Sequence, residues 1–247
     1  MLSNIDMAAI LFLDIETVPL AKDWTDLNPE MQLLWQYRTN RFKQSIDDDL
    51  TEEDYFFKKS GVYAEFGKVV CISAGIYRHP KTKEDAPSFR LKSFFGHDEK
   101  QLLTDFLQML QTRFDPDRFY LCGHNIREFD VPYLCRRAII NGLPLPTILD
   151  VNALKPWEVR FLDTMQLWKF GDYKNFTSLH LLTHLLNVPS PKEEMEGNQV
   201  AKVYWQEENG LTRIKSYCEQ DVLAVAQIIL RFKGLPLLTP EQVVVAE

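Results

Sequence analysis

The stretch Ile10–Leu20, ILFLDIETVPL, is an apolar run that ends with two acids one residue apart. Clustered apolar and β-branched residues predict a buried strand over about Ala8 to Asp14. Side chains alternate along a strand, so Asp14 and Glu16 are expected on the same side of its continuation. The sequence therefore predicts a pair of adjacent carboxylates at the edge of a core.

Other regions of the chain alternate between strand and helix patterns. Further strands are predicted at Val69–Tyr77, Phe89–Phe95 and Phe119–Gly123, and a short one ending at Asp163. Spacing of apolar residues by three to four predicts helices at Glu99–Arg113, Asp130–Ile140, Ser178–Leu186 and Leu211–Phe232. This order predicts an α/β fold, with a mixed β-sheet flanked by helices.

Length and composition favour a single domain that spans residues 1–247. A chain of 247 residues with 45% hydrophobic content is sufficient for one large core. The segment 21–66 is charged and aromatic, and we interpret it as a helical insertion on the sheet. Neither a membrane span nor a signal peptide is recognisable. The four cysteines form no C-x-x-C pair, so a reducing, cytoplasmic location is expected.

The net charge of −7 argues against a broad surface that neutralises phosphates. It leaves room for a small acidic pocket that works through cations. Asp14 and Glu16 suit such a pocket, because two adjacent carboxylates ionise cheaply only with a cation between them. The alternative is a solvated strand end.

The stretch Leu121–Leu134, LCGHNIREFDVPYL, runs from a predicted strand into a predicted helix. Asp130 directly precedes the apolar helix, and Pro132 lies in its first turn, where proline is tolerated. Asp130 is therefore either the N-cap of this helix or a ligand-binding acid at the carboxyl end of a strand.

The stretch Arg213–Phe232, RIKSYCEQDVLAVAQIILRF, is the strongest helix pattern. Tyr217 and Asp221 are four residues apart and share one face. The helix is apolar nearly all round from Val222 onward, so an unpaired Asp221 at this position would be costly unless it binds a metal. The alternative is an exposed acid in the first helical turn, stabilised by the helix dipole.

Together, FLDIET, HNIREFD and YCEQD resemble the three motifs of the DEDD superfamily of 3′-to-5′ exonucleases, in its tyrosine-bearing branch. The resemblance is closest to stand-alone bacterial proteins related to the proofreading domain of family B DNA polymerases. It implies a ribonuclease H-like fold and covers nearly the whole chain except the 21–66 insertion. All the expected catalytic residues are present: Asp14, Glu16, Asp130, Asp221 and Tyr217.

The resemblance implies a metal-dependent exonuclease that releases nucleoside 5′-monophosphates from a 3′ end. Two divalent cations, Mg²⁺ or Mn²⁺ roughly 4 Å apart, would be held by the four acids, and Tyr217 would orient or help deprotonate the attacking water. The expected partner is nucleic acid with a free 3′ end, preferably single-stranded DNA. Asn125, Phe129 and Thr17 are expected to contact the terminal nucleotide.

Two other functions are considered: a catalytically silent nucleic-acid-binding or adaptor module, and an endonuclease of the broader ribonuclease H-like class. Loss of one of the acids would favour the catalytically silent module. An endonuclease of the ribonuclease H-like class would not explain the presence of the Y-x-x-x-D pair. His180 and His184 resemble a zinc pair without a third ligand, so a helix surface is expected. His124 either approaches phosphate or packs, and Asp163 is expected to be structural. Basic candidates for phosphate contacts, most of them expected to be merely solvated, are Arg136, Arg137, Lys155, Lys169, Lys174 and Lys192.

Overall fold

The computed structural model describes residues 2–40, 51–82, 84–172, 174, 176–189 and 195–246. Within these residues the strands are β1 (Ile10–Pro19), β2 (Gly67–Arg78), β3 (Ser88–Phe95), β4 (Tyr120–Gly123), β5 (Phe161–Asp163) and β6 (Val243–Ala246). They form one sheet in the order β5-β4-β1-β2-β3-β6. β1 runs parallel to β4 and antiparallel to β2, and β4 runs parallel to β5. The carboxyl ends of β1, β4 and β5 therefore lie at one edge.

The described α-helices are α1 (Pro29–Asn40), α2 (Glu52–Lys59), α3 (Glu99–Arg113), α4 (Asp130–Ile140), α5 (Thr164–Lys169), α6 (Leu179–Leu185), α7 (Val200–Gln206) and α8 (Gly210–Phe232). None of them combines the length and the hydropathy that a membrane span requires. The predicted α/β fold, a mixed sheet flanked by helices, is confirmed.

β1 separates two apolar layers because its side chains alternate. Leu11 and Leu13 pack in a core with residues of α3 and α4. Ile10 and Phe12 face the opposite side, where they pack in a core with the apolar half of α8. By the same alternation, Asp14 and Glu16 continue the row that faces α8.

β1 is longer than the sequence pattern predicts. It runs five residues beyond Asp14 to Pro19, so the predicted end near Asp14 is wrong. The strand continues because Thr17 and Val18 still pair with β2, and the Val18 side chain is fully buried. A shift of register between Glu16 and Thr17 lets this pairing persist beyond the acids.

Three short elements are not predicted by the sequence pattern: α5, α7 and β6. α5 and α7 have six and seven residues, too few for a helical period to be distinctive. β6 has four residues and lies at the edge of the sheet, where it pairs in parallel with β3. These elements depend on tertiary contacts more than on local pattern.

The segment 21–66 contains α1 and α2, while residues 41–50 lie outside the described part. Trp35 and Phe56 are fully buried there and meet edge to face, with ring centroids 5.5 Å apart. They form a small aromatic core with Leu27 and Phe66. The Tyr133 hydroxyl of α4 donates to the carbonyl of Gly61 at 2.9 Å, which ties the segment to the main fold. That the segment is an insertion in a single domain remains a prediction.

A buried ion pair joins α3, α4 and β2. Glu99 and Arg137 are only 8% and 5% exposed, and Arg137 Nε donates to Glu99 Oε1 at 2.8 Å. The same oxygen accepts from the backbone N–H of Val69 at 2.7 Å, and Asn141 donates to Oε2 at 3.0 Å. Because these groups satisfy one another, loss of either charge leaves its partner buried and uncompensated.

We predict that Glu99→Gln lowers the free energy of unfolding by about 3–5 kcal/mol, since it leaves the Arg137 guanidinium without its counter-charge. Urea unfolding of the purified variant measures this change. Asp105→Asn, on the exposed side of α3, is the matched control and is expected to change stability by no more than about 0.5 kcal/mol. Equal effects of the two substitutions would refute a stabilising role for the buried pair.

Candidate active site

The two acids of β1 lie close together, as the strand alternation predicts. Ligand oxygens of Asp14 and Glu16, with the sulfur of Cys218 from α8, all lie within 4.8 Å of one another. Glu16 is only 8% exposed, so it is not part of a solvated strand end. β1 therefore delivers two carboxylates to the face that α8 covers.

Asp221 lies in the interior of α8, which begins at Gly210. The alternative of an exposed acid in the first turn is therefore wrong. Tyr217, one turn earlier on the same face, makes a side-chain hydrogen bond with Asp221. The helix thus brings a carboxylate and a phenol together at the acids of β1.

Asp130 is the first residue of α4 and is only 3% exposed. The N-cap position belongs to Phe129, whose side chain makes no capping bond, so the N-cap interpretation of Asp130 is wrong. The Asp130 carboxylate instead accepts from its own backbone N–H and from that of Ile15. Since Ile15 stands between the two acids of β1, this bond fixes Asp130 beside them.

Burial is the main cause of raised pKa values throughout the acid cluster. It raises the pKa of Asp14 well above 3.8, and the charges of Asp221 and Asp130 raise it further. It raises the pKa of Glu16 well above 4.5, with Asp14 as the next cause. Burial also raises the pKa of Asp130 to about 7 and that of Asp221 to about 6, although the bond from Tyr217 lowers the latter. Without a cation, full ionisation of the four acids at neutral pH is therefore unfavourable.

The residues fit a divalent cation. Asp14 Oδ2 is buried and has no hydrogen-bond partner among the described residues, a costly state for a carboxylate oxygen. Carboxylate oxygens are the donors that Mg²⁺ and Mn²⁺ prefer. Asp14, Glu16, Asp130 and Asp221 thus form a donor set suited to these ions.

The loop after β4 places Asn125 at this edge of the sheet. Asn125 has a positive φ of 66°, which asparagine tolerates better than most residues. Its backbone N–H donates to Asp163 Oδ1 at 3.0 Å, whereas its side-chain Oδ1 is buried without a hydrogen-bond partner among the described atoms. At Gly123, an added Cβ would lie 2.9 Å from the carbonyl oxygen of Leu13, so the loop starts from a point where only glycine fits against β1.

Asp163 is structural, as predicted. In addition to the bond from Asn125, its carboxylate accepts hydrogen bonds from the backbone N–H groups of Arg127, Met165 and Gln166, and so caps α5 and holds the loop.

His124 packs against its neighbours and does not point to open solvent. Its Nδ1 lies 2.9 Å from Thr164 Oγ1, and its Nε2 lies 3.0 Å from the carbonyl of Thr177.

Thr17 and Phe129 both contact Tyr133, a residue that the motifs do not identify. The Thr17 side chain hydrogen-bonds with Tyr133, and the Phe129 ring lies 5.5 Å from the Tyr133 ring. Both Thr17 and Phe129 are half-buried. Tyr133 therefore supports the two residues that are expected to contact the terminal nucleotide.

The other candidates separate into surface and buried residues. His180 and His184 are exposed on α6, which agrees with a helix surface. Arg137 is a wrong candidate for phosphate contact, because it is buried against Glu99. Lys192 lies outside the described residues. Arg136, Lys155 and Lys174 are exposed, whereas Lys169 is half-buried, with its Nζ 4.0 Å from the centroid of the Phe176 ring.

Cys218 was missed as a member of the site. Its thiol donates to the backbone carbonyl of Asp14 at 3.4 Å and hydrogen-bonds with the thiol of Cys71. One signal was available in the sequence, because Cys218 and Asp221 are three residues apart and share a helix face. The proximity of Cys71 was not predictable, since it depends on the register in which Cys71 opposes Glu16 across β1 and β2.

Comparison with known proteins finds similarity to DNA polymerases and to a family related to one of their domains. A family model described as a predicted 3′-5′ exonuclease related to the exonuclease domain of PolB matches residues 62–237, which include Asp130, Tyr217 and Asp221. A protein named DNA polymerase from Pyrococcus glycovorans is 26% identical over 136 residues, which are 50% of this chain and 17% of that protein.

The structure of the family B DNA polymerase from the hyperthermophilic archaeon Pyrobaculum calidifontis superimposes with a TM-score of 0.51 and 16% identity. The superposition covers 87% of this chain and 23% of the polymerase, and it shows a shared fold. Both polymerases are thus several times longer than the region that they share with this chain. Because the family match extends over more than half of the sequence, the protein belongs to the family of predicted 3′-5′ exonucleases related to the exonuclease domain of PolB.

Proposed function

We propose that this protein is a metal-dependent 3′-to-5′ exonuclease that hydrolyses the terminal phosphodiester bond of DNA and releases nucleoside 5′-monophosphates. The observation that carries the proposal is the convergence of four acids from β1, α4 and α8 in one cluster, in which Glu16 and Asp130 are buried and Asp14 and Asp221 are half-buried. Their mutual repulsion and the unpartnered oxygen of Asp14 are both relieved by bound cations. A cluster of this kind without a protein nucleophile suits attack by water.

The proposed metal ligands are Asp14, Glu16, Asp130 and Asp221. Divalent cations held there supply a water of lowered pKa and stabilise the negative charge that develops on phosphate and on the leaving 3′-oxygen. The chain's own contribution is to fix the ligand positions, through the bond from Ile15 to Asp130 and the burial of Glu16.

Tyr217 is proposed to orient the attacking water. Burial, followed by the charges of Asp221 and Glu16, raises the pKa of its phenol well above 10. The phenol therefore stays protonated at neutral pH and acts as a hydrogen-bond donor, not as a general base.

Asn125, Phe129 and Thr17 are proposed to contact the terminal nucleotide. An aromatic ring such as Phe129 offers a stacking surface of about 1–3 kcal/mol per base. The DNA polymerases among the relatives support DNA over RNA as substrate. Single-stranded DNA is the proposed form, and a cytoplasmic location is proposed from the unpaired cysteines.

The first prediction from the proposed function concerns the reaction itself. With Mg²⁺ or Mn²⁺, single-stranded DNA labelled at its 5′ end should shorten stepwise from the 3′ end, with release of 5′-monophosphates. Denaturing gels and chromatography of the products measure the two outcomes. An RNA of the same sequence is tested in parallel and is expected to react more slowly.

A circular single strand is the matched control, because it has no 3′ end. Its cleavage would refute the exonuclease assignment, and equal activity in the presence of a chelator would refute the metal requirement. Tight binding of DNA without turnover in any divalent metal would instead favour the catalytically silent module.

The second prediction concerns stability without metal. The folded protein retains protons that the unfolded chain has released, between pH 3.8 and about 7 on Asp130 and between pH 3.8 and about 6 on Asp221. The stability of the metal-free protein should therefore fall as pH rises through this window. Asp14→Asn removes one of the repelling charges, so it should raise the melting temperature of the metal-free protein at neutral pH while abolishing turnover.

Thermal unfolding at about pH 5 and about pH 8 in chelator, then with Mn²⁺, measures these effects. Mn²⁺ should stabilise the wild type more than Asp14→Asn. Asp163→Asn is the matched control, since it removes a buried carboxylate that accepts four backbone bonds, and it should destabilise at both pH values. If Asp14→Asn also melts lower, and responds to Mn²⁺ like the wild type, Asp14 is a structural acid.

The third prediction separates the two residues of α8. Tyr217→Phe keeps the ring and removes the hydroxyl, so the single-turnover rate should fall by about 10²- to 10⁴-fold while Mn²⁺ affinity is retained. Asp221→Ala removes a metal ligand and should abolish measurable activity and weaken Mn²⁺ binding. Mn²⁺ titration and single-turnover release of the terminal nucleotide compare the variants. An unchanged rate in Tyr217→Phe would show that this tyrosine only packs.

A further inference from the structure

Two large apolar side chains are exposed in the segment that joins α5 to α6. Phe170 is 90% exposed and Phe176 is 69% exposed, so neither ring contributes much to a buried core. Phe170 also has a positive φ of 46°, a region that is strained for a bulky residue. An exposed ring in a strained backbone conformation adds little to stability, and strain of this kind is typical of binding sites.

Lysines accompany the two rings. The Lys169 Nζ lies 4.0 Å from the centroid of the Phe176 ring, in a cation–π contact. Lys174 is exposed in the same segment. Asp172 lies between the two lysines in sequence, and its Oδ1 accepts from the backbone N–H of Lys174 at 2.9 Å. Residues 169–177 thus contain two lysines and one aspartate, a net positive charge in a chain whose net charge is −7.

Both ends of this segment are fixed near the candidate active site. α5 begins directly after Asp163, whose carboxylate holds the backbone of Asn125. At the other end, the carbonyl of Thr177 lies 3.0 Å from Nε2 of His124, the residue before Asn125. α5 has six residues, so Phe170 follows about 9 Å along the helix from the carboxyl end of β5. The rings therefore belong to the sheet edge at which the acids lie.

We propose that Phe170, Phe176, Lys169 and Lys174, here called the α5–α6 patch, bind the single-stranded DNA that leads to the candidate active site. The rings stack on unpaired bases upstream of the terminal nucleotide, and the lysines contact phosphates of the same strand. The inference rests on the proposed exonuclease function and extends it, because it identifies a surface that binds the substrate strand.

A single strand is the ligand that these groups suit. Aromatic rings stack on unpaired bases of any sequence, whereas the bases of a duplex are already stacked on their neighbours. Lys169 contacts the Phe176 ring, yet this residue is still 69% exposed, so a base can stack on it. The lysine ammonium groups complement the phosphates of the strand.

The position of the patch predicts which part of the strand it binds. A strand with stacked bases advances about 3.4 Å per nucleotide, so the length of α5, about 9 Å, corresponds to about two or three nucleotides. The patch should therefore affect the binding of strands of several nucleotides and should not be needed for a substrate that consists of a single nucleotide.

The first test measures binding by fluorescence anisotropy in chelator, where the proposed reaction cannot proceed. The probe is a labelled single strand of about 12 nucleotides, a length within the range of known single-strand sites. Phe170→Ala and Phe176→Ala should each weaken binding by at least about fivefold, because one base–aromatic stack contributes at least this factor. Phe170→Trp keeps a stacking ring and should retain the affinity.

Trp157→Ala is the matched control. Trp157 is 77% exposed, and the Lys155 Nζ lies 5.5 Å from the centroid of its ring. This pair resembles the patch in chemistry, but it precedes β5, which begins at Phe161, whereas the patch follows the carboxyl end of β5. Trp157→Ala should leave the affinity for the strand unchanged.

The second test separates the lysines from the rings. For single strands, the logarithm of the affinity falls with the logarithm of the salt concentration by about 0.7 for each phosphate contact. Lys169→Gln and Lys174→Gln should therefore each reduce this slope by about 0.7. Phe170→Ala should lower the affinity without changing the slope.

Three outcomes would overturn the proposal. The first is an unchanged affinity in both phenylalanine variants, or no binding of the strand by the wild type, which would leave the exposed rings to a protein partner. The second is equal weakening of binding to the single strand and to a blunt duplex of the same sequence, because stacking requires unpaired bases. The third is an unchanged salt slope in both lysine variants, which keeps the proposal testable even where a phenylalanine variant does not fold.

Turnover distinguishes this inference from the proposed function. The p-nitrophenyl ester of thymidine 5′-monophosphate reports hydrolysis at the acid cluster without a strand. The kcat/KM for the single strand, divided by that for the ester, should fall in Phe170→Ala by the same factor as the affinity. Binding of the strand through the patch without hydrolysis of either substrate rejects only the proposed function. Hydrolysis of both substrates with no effect of the patch variants rejects only this inference.

Discussion

The repulsion among four carboxylates, two of them buried and two half-buried, is the constraint on which the rest of this structure depends. Acids that are shielded from water raise one another's pKa, and each must still be held in place by the chain. The fold meets this requirement with rigid elements: a central strand for Asp14 and Glu16, and a helix with an apolar, buried half for Asp221. Positions fixed in this way keep the acids close even where the repulsion would separate them.

The sheet edge explains why residues far apart in sequence meet. β1, β4 and β5 are parallel neighbours, so the segments that leave their carboxyl ends approach one another. Asp163 lies at the end of β5, where its carboxylate accepts a backbone hydrogen bond from the loop after β4 and also caps α5. Asp163 thus holds the backbone of Asn125 at this edge of the sheet. Asp163 and Asp14 differ because Asp163 accepts four backbone hydrogen bonds, whereas Asp14 Oδ2 has no partner among the described residues.

The sequence predicted the elements whose patterns are long. The helices at Glu99–Arg113 and Asp130–Ile140 have the predicted bounds, and α8 begins one residue earlier than predicted. Failures occur where tertiary contacts dominate. β1 continues to Pro19 because β2 pairs with it beyond a register shift, which no local pattern encodes. The helices α5 and α7 and the edge strand β6 were missed for the same reason.

The site shows a similar division. Motif spacing predicted the four acids that the structure brings together, because strand and helix periods determine which side chains share a face. It could not identify Tyr133 or Cys71, since their contacts depend on how one element packs against another. Tyr133 hydrogen-bonds with the side chain of Thr17 in β1, and its ring packs against that of Phe129 in the loop before α4. Its hydroxyl donates to the carbonyl of Gly61 in the 21–66 segment. A single tyrosine therefore connects the residues that we propose to contact the terminal nucleotide to the 21–66 segment, so a displacement of that segment is expected to change the positions of Thr17 and Phe129.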